Sequence, residues 1–140
     1  MIVIVCLEET GGMMFNHRRQ SRDKAILQRL EQICEGKKLW MNSYSYKLYG
    51  ELENIEIMVA EDFLEKASSG EVCFVETEKL YPFQEKIETI VVFWWNRKYP
   101  TDFRFDLELS RWKKIEVQEF VGTSHEKIIQ ELYQREEEKS

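Results

Sequence analysis

The feature that most constrains the fold is a set of short apolar runs with almost no polar interruption. The strongest run, Thr89 to Trp95, consists of β-branched and aromatic residues, and Ile2 to Leu7 is a second run of this kind. Such strands are usually buried on both faces, as in parallel sheets that helices cover. Because segments with helical spacing alternate with these runs, the sequence predicts a three-layer α/β sandwich around a largely parallel mixed sheet of about six to eight strands.

Polar residues mark the predicted ends of the helices. Ser21 is the predicted N-cap of the first helix, and Gly36 is its predicted stop. Asn42 and Ser45 follow the second predicted strand, where their side chains can cap a short helix.

The last third of the chain has a different pattern. Apolar and charged residues alternate from Trp112 to Val121, which predicts an antiparallel strand near the C-terminus. Thr123 and Glu126 have the spacing of a capping box, so a C-terminal helix is predicted to follow them. No repeat or linker divides the chain, so we expect one domain over residues 1–140, with residues 134–140 frayed.

Composition excludes several classes of function. The apolar fraction of 43% is enough for one core, and no apolar run is long enough to span a membrane. The 26 acidic and 20 basic residues give a net charge of −6, which disfavours an extended nucleic-acid face. The three cysteines lie far apart, and the start of the chain lacks the pattern of a signal peptide. We therefore expect a cytoplasmic protein with no disulfide framework and no metal site.

An arginine-rich segment precedes the predicted first helix of this acidic chain. It contains Asn16, Arg18, Arg19 and Arg22. A helix start carries unpaired N–H groups and a partial positive charge, and arginine binds phosphate and carboxylate groups through paired hydrogen bonds. The leading hypothesis is therefore a binding module for a small anionic or nucleotide-like ligand. The alternative is a structural loop whose arginines pair with the surplus carboxylates.

Other polar residues are predicted to lie at the same rim of the sheet. Asn42 and Ser45 follow the second strand, and Arg97 follows the run that ends at Trp95. Ligands of open α/β sheets bind outside the carboxyl ends of the strands, so these three side chains are predicted ligand contacts. The alternative for Asn42 and Ser45 is a capping role alone.

Two further hypotheses rest on histidine and aromatic residues. His17 and His125 both lie near predicted helix starts, and if they reach one cleft, one of them can act as a general base in a metal-independent hydrolase or nuclease. The alternative for each histidine is packing or capping. The segment from Trp95 to Tyr99 carries residue types that dominate interface energies, which favours a protein-interaction module or a homodimer.

The order of these segments resembles that of the dihydrofolate reductase family over most of residues 1–120. The run Ile2–Val5 followed by Gly11–Met13 resembles that family's first strand and loop, and Gly36–Tyr46 resembles its cofactor-helix segment. Glu71–Tyr81 resembles the strand and helix that carry its paired glycines, and Trp112 resembles the tryptophan that opens a late strand. The resemblance implies a dihydrofolate reductase-like fold.

The residues that carry the chemistry of that family differ in this chain. The family's catalytic carboxylate falls near Ile26, and the glycine and arginine that hold its cofactor phosphates become Asn42 and Ser43. The paired glycines become Glu76 and Thr77, whose side chains stand where the backbone must approach a diphosphate. We therefore expect neither reductase activity nor bound NADPH.

Three segments also resemble a family of short bacterial proteins that carry the name ribonuclease Z. These segments are Phe15–Asp23, Lys38–Asn42 and Ser124–Ile128. The zinc-dependent chemistry of that nuclease needs an HxHxDH cluster and further histidines, which the two histidines of this chain do not supply. We therefore expect no zinc-dependent nuclease activity.

Overall fold

The computed structural model describes residues 1–135 and has a seven-stranded sheet at its centre. The strands are β1 (Ile2–Leu7), β2 (Gly12–Phe15), β3 (Arg18–Arg19), β4 (Lys38–Met41), β5 (Glu56–Val59), β6 (Val72–Phe74), β7 (Thr89–Trp94), β8 (Phe103–Arg104), β9 (Trp112–Phe120) and β10 (Ile128–Arg135). The helices are α1 (Lys24–Ile33), α2 (Ser43–Tyr49) and α3 (Phe63–Lys66), with 3₁₀ helices at Tyr81–Lys86 and Leu109–Arg111. No helix within residues 1–135 has the length and apolar character needed to cross a membrane.

The central sheet has the order β5-β4-β6-β1-β7-β10-β9. Strands β5, β4, β6, β1 and β7 run parallel to one another, whereas β10 is antiparallel to both β7 and β9. The predicted largely parallel sheet, its size and its antiparallel strand near the C-terminus are therefore confirmed.

Buried residues on both faces of this sheet give the fold its three layers. Successive side chains of a strand point to opposite faces. In β1, Val3 and Val5 therefore pack with Phe63 of α3, whereas Ile4 packs with Ile26 of α1 on the opposite face. A small second sheet of order β3-β2-β8 lies on the Val3 face, because β2 contributes buried side chains to that core.

The predicted C-terminal helix is wrong, because Ile128–Arg135 forms strand β10. The segment is rich in residues that also favour helices, but β10 completes the sheet between β7 and β9. Glu131 is buried there and accepts a hydrogen bond of 2.5 Å from Nε1 of Trp94. Thr123 and Glu126 consequently cap no helix. Of the predicted frayed segment 134–140, residues 134–135 belong to β10 and the rest lies outside the described residues.

The predicted N-cap of the first helix is also wrong. Asp23, and not Ser21, is the N-cap of α1, and its Oδ1 accepts a hydrogen bond of 2.9 Å from the Ala25 N–H. Asn42 caps α2 as predicted, through a bond of 3.0 Å from the Ser45 N–H. α2 therefore begins directly beyond β4, whereas residues 20–23 separate β3 from α1.

Candidate functional site

Two clefts flank the segment that leads into α1. The first, which we call the hairpin cleft, has a volume of about 540 Å³ and is lined by Phe15, Asn16, Arg18, Arg19, Gln20, Tyr99 and Pro100. The second, which we call the helix cleft, has a volume of about 430 Å³ and lies between the start of α1, the end of α2 and the loop before β10. Its charged side chains are those of Arg22, Asp23, Lys24 and Glu51.

The arginine-rich segment is a β-hairpin between β2 and β3. Asn16 and His17 form its two-residue turn with positive φ angles of 49° and 61°. Two successive positive φ angles are typical of the type I′ turn that joins tightly paired strands. The hairpin pairs Phe15 with Arg18, and Arg18 is exposed. The local role of Asn16 and His17 is therefore to turn the chain.

Arg19 lies deeper and is paired with an acidic residue. Its Nε and Nη2 atoms donate hydrogen bonds of 2.9 and 3.0 Å to the two carboxylate oxygens of Glu76. Its guanidinium also lies 4.6 Å from the centre of the Tyr44 ring. The charge of Arg19 is therefore balanced within the protein, as the structural-loop alternative expects of an arginine in this segment.

Asn42 and Ser45 belong to the same buried polar network. Nδ2 of Asn42 donates a hydrogen bond of 2.8 Å to Oγ1 of Thr77, and Oγ of Ser45 donates one of 2.8 Å to Glu76. Glu76 is only 8% exposed. Neither Asn42 nor Ser45 lines the hairpin cleft or the helix cleft.

This network does not fit the diphosphate of a nicotinamide cofactor. Glu76 and Thr77 stand at the positions that the family resemblance assigns to paired glycines, and both have side chains engaged in hydrogen bonds. The Glu76 carboxylate accepts the hydrogen bonds that Arg19 and Ser45 could otherwise donate to a ligand. Its negative charge would also repel a phosphate group. A diphosphate would have to displace that carboxylate.

The Asp23 carboxylate joins α1 to the loop between β9 and β10. Its Oδ1 accepts hydrogen bonds from the N–H and hydroxyl groups of Thr123, and its Oδ2 accepts them from the corresponding groups of Ser124. Burial by itself raises the pKa of Asp23, but these hydrogen bonds and that of His125 hold it well below its usual range. A Cβ atom at Gly122 would overlap Oδ2 of Asp23, so the loop needs glycine there.

His125 is buried beside this carboxylate. Its Nδ1 lies 2.9 Å from Oδ2 of Asp23, and its Nε2 lies 2.9 Å from Oγ of Ser21 and 3.3 Å from the Tyr99 hydroxyl. Its ring stacks on Trp95 with centroids 4.7 Å apart and planes 25° apart. Because Asp23 is ionised, the hydrogen-bond network assigns the proton of the neutral ring to Nδ1 and leaves Nε2 as an acceptor.

The other predicted site residues do not share one cleft. Asn16, Arg18 and Arg19 come together in the hairpin cleft, whereas Arg22 lines the helix cleft. Arg97 is exposed and lines neither cleft.

The two histidines also lie in different surroundings. His17 is exposed at the hairpin turn, and within residues 1–135 it forms no hydrogen bond with His125. Trp95 is only 2% exposed, so the prediction that it contributes to an exposed interface is wrong. An interface formed by Arg97, Lys98 and Tyr99, without Trp95, stays a prediction.

Sequence patterns alone assign no site role to Ser21, Asp23 or Glu76. Ser21 and Asp23 are both good N-caps, so their spacing from the helical pattern does not decide which of them caps α1. The family resemblance presents Glu76 only as a replaced glycine, although its charge is opposite to that of Arg19. Ile26, near which the resemblance places the family's carboxylate, is fully buried, and a buried carboxylate lies three positions earlier, at Asp23.

Within residues 1–135, the side chains that could bind a metal are scattered, and Cys34 and Cys73 are buried. Among residues 1–135, no group of three or more His, Cys, Asp or Glu side chains is placed to hold a metal ion. Burial raises the pKa of the Cys73 thiol to about 12, and burial together with the nearby Glu76 carboxylate raises that of Cys6. Both thiols therefore stay protonated near neutral pH.

The chain shares its fold with a known enzyme. No protein-family model matches the chain, and no curated protein matches it. It is similar to the solved structure of a dihydrofolate reductase from Enterococcus faecalis complexed with NADP(H) and RAB-propyl. The TM-score is 0.68 at 14% identity, over 97% of this chain and 96% of that chain. At this identity the similarity shows the fold alone, and it confirms the predicted dihydrofolate reductase-like fold. The resemblance to proteins named ribonuclease Z stays a prediction.

Proposed function

We propose that this chain binds a small anionic ligand in the hairpin cleft, with Arg18 as the main charged contact. The proposal rests on the surroundings of Arg18. This arginine lines the cleft, is exposed and takes part in no ion pair within residues 1–135. Since the chain as a whole is acidic, an arginine without an acidic partner is available to a ligand's phosphate or carboxylate group.

The other walls of the cleft favour a ligand that also carries a ring. Phe15 is 40% exposed and stands beside Arg18 on the hairpin, and Tyr99 lies on the facing loop. Aromatic side chains stack on planar rings, and the Asn16 amide can donate and accept hydrogen bonds. A volume of about 540 Å³ is within the range of small-molecule sites. A nucleotide-like ligand meets all these conditions.

The proposed ligand is not NADP(H), with which the similar dihydrofolate reductase is complexed. The hydrogen bonds of Glu76 to Arg19 and Ser45 argue against a diphosphate at the position that corresponds to the paired glycines. Arg18 is outside that network, so a ligand bound there has no need to displace a carboxylate.

Isothermal titration calorimetry against inorganic phosphate, nucleoside mono-, di- and triphosphates and small dicarboxylates tests the proposal. We expect binding heat with at least one of these probes. Arg18→Ala should weaken that binding at least about tenfold, because it removes a charge-assisted contact. The matched control is Arg104→Ala, which removes an exposed arginine that lines neither cleft and should change affinity less than about twofold.

Arg22→Ala distinguishes the two clefts. If it abolishes binding while Arg18→Ala has no effect, the anion occupies the helix cleft and the proposal is wrong. Absence of heat with every probe, combined with equal thermal stability in the presence and absence of millimolar phosphate compounds, would also overturn it.

A further inference from the structure

We infer that Ser21, His125 and Asp23 form a nucleophilic triad that hydrolyses small esters. Oγ of Ser21 lies 2.9 Å from Nε2 of His125, and Nδ1 of the same ring lies 2.9 Å from Oδ2 of Asp23. This is the order of hydroxyl nucleophile, imidazole base and orienting carboxylate that enzymes on unrelated folds use for acyl transfer.

The base of this triad is held in one orientation. The side chain of Asp23 is ionised and fully buried. Its carboxylate therefore holds the N–H group at Nδ1 of His125 in a hydrogen bond. The stacked Trp95 ring fixes the plane of the imidazole. Nε2 is then the ring atom left to receive a proton, and it lies 2.9 Å from the Ser21 hydroxyl and 3.3 Å from the Tyr99 hydroxyl. The carboxylate also stabilises the imidazolium that forms when the serine proton is transferred.

Ser21 lies in the chain between residues of the two clefts. The residue is half-buried, and its neighbours Gln20 and Arg22 line the hairpin cleft and the helix cleft, respectively. Within residues 1–135, the main-chain N–H groups of Ser21 and Arg22 donate no hydrogen bond. We assign these two N–H groups as the donors to the oxyanion of a tetrahedral intermediate at the serine.

The reaction balances without a metal or redox partner. Oγ of Ser21 attacks the ester carbonyl carbon while its proton moves to Nε2 of His125. The tetrahedral intermediate collapses, the C–O bond to the alcohol breaks, and Nε2 returns the proton to the leaving oxygen. Water then attacks the acyl-serine by the same route, releasing the carboxylic acid and restoring the serine hydroxyl.

The preferred substrate class follows from the charges beside Ser21 and rests on the proposed function. Arg18 lines the hairpin cleft and Arg22 lines the helix cleft, so an ester whose acyl or alcohol part carries a carboxylate or phosphate has a cationic contact in either direction. The triad itself needs no anion site, because its three members contact one another directly.

Labelling of the full chain with a fluorophosphonate, followed by peptide mass spectrometry, tests the nucleophile. We expect one label per chain, on Ser21, and its loss in Ser21→Ala. Ser110→Ala, which removes an exposed serine in a 3₁₀ helix, is the matched control and should label at the wild-type rate. His125→Gln should slow labelling at least about a hundredfold. Absence of label from Ser21, or an equal rate in a folded His125→Gln variant, would overturn the triad.

A second measurement keeps the test valid if His125→Gln does not fold. Ser21→Cys places a thiol at the nucleophile position, and Ser110→Cys places one at the control position. A base beside the thiol should make the first variant react with iodoacetamide at least about tenfold faster than the second. Equal rates in two variants with the same circular dichroism spectrum would contradict activation by His125.

Ester hydrolysis separates this inference from the proposed function. We expect hydrolysis of para-nitrophenyl acetate that Ser21→Ala abolishes, and faster hydrolysis of the succinate monoester of para-nitrophenol that Arg18→Ala slows. Serine-dependent hydrolysis with no preference for the charged ester supports the triad and contradicts the charged substrate class, and calorimetry then decides on the anion site. Hydrolysis that persists in Ser21→Ala refutes the triad and leaves the calorimetric test of the anion site intact.

Discussion

Nδ1 of His125 lies 2.9 Å from Oδ2 of Asp23, although 102 residues separate the two in the sequence. The same carboxylate accepts hydrogen bonds from the main-chain N–H groups of Thr123 and Ser124. One side chain therefore caps α1, closes the loop between β9 and β10, and orients the histidine. Stability and any chemistry at His125 depend on the same bonds.

Asp23→Asn should lower the free energy of unfolding by about 2–4 kcal/mol. The Asn side chain keeps one acceptor oxygen, but its NH₂ group faces N–H or O–H donors of the loop in either orientation. Buried donors are then left without an acceptor, which costs more than the loss of one net hydrogen bond. Urea unfolding monitored by circular dichroism measures the change.

Asp62→Asn is the matched control for this substitution. Asp62 is exposed, and its side chain pairs with that of Lys66 across one helical turn, so its replacement should change stability by less than about 0.5 kcal/mol. Equal effects of the two substitutions would show that the loop does not depend on Asp23.

Stability should fall as the medium becomes acidic, and Asp23 should account for part of that fall. Burial by itself raises the pKa of this carboxyl, but the loop hydrogen bonds outweigh burial and hold the folded-state pKa well below the usual range. As the pH falls, Asp23 is therefore protonated first in the unfolded chain, at about pH 4. The stabilisation is fully present above that pH and is lost as the pH falls towards the folded-state pKa.

Comparing urea unfolding at pH 7 and pH 3 in the wild type and in Asp23→Asn isolates this contribution. The asparagine does not titrate in this range, so the variant should lose less stability than the wild type between the two pH values. Hydrogen bonds also hold the pKa of Glu8 and Glu131 below the usual range, despite burial that raises it, so some acid sensitivity should remain in the variant. An identical loss in both proteins would contradict the role of Asp23.

The centre of the sheet could be predicted from sequence because β1 and β7 are almost uniformly apolar. β1 and β7 are buried on both faces, and few other structures accommodate such runs. β10 is different, because it contains Gln130, Glu131 and Gln134, whose residue types are good helix formers. Only its pairing with β7 and β9 decides its conformation, and that pairing depends on residues far away in sequence.

The site could be predicted only in part, for the same reason. The arginines before α1 and the rim at Asn42 follow from local patterns, and Asn42 caps its helix as expected. The partners of these residues are distant in sequence, since Glu76 is 57 residues from Arg19, and Ser21 is 104 residues from His125. A sequence pattern gives the chemistry of each side chain, whereas the fold determines which side chains form hydrogen bonds or ion pairs with one another.

Arg19 and Glu76 should be strongly coupled. Their side chains are 21% and 9% exposed, so removing one partner leaves a largely buried charge without compensation. Glu76→Gln should therefore cost about 3 kcal/mol of unfolding free energy, and Arg19→Gln a similar amount. The double variant should cost less than the sum of the two, because the two charges disappear together. Urea unfolding of the four proteins gives the interaction energy.

The exposed pair Asp62 and Lys66 provides the comparison for this cycle. Both side chains are 53% exposed, so their interaction energy in the same type of cycle should stay below about 0.5 kcal/mol. An Arg19–Glu76 interaction as small as this would mean that the guanidinium is free in solution. In that case Arg19, like Arg18, would be available to an anionic ligand.

The strand assignment of the C-terminal segment predicts unequal effects for two isoleucines. Ile128 of β10 is fully buried, whereas Ile115 of the outer strand β9 is 44% exposed. Ile128→Ala should lower the free energy of unfolding by about 2–4 kcal/mol because it leaves a cavity against α1, and Ile115→Ala by less than about 1 kcal/mol. Chemical unfolding monitored by tryptophan fluorescence measures both. A C-terminal helix detached from the sheet would instead give two small effects, so similar values for the two variants would contradict the pairing of β10 with β7.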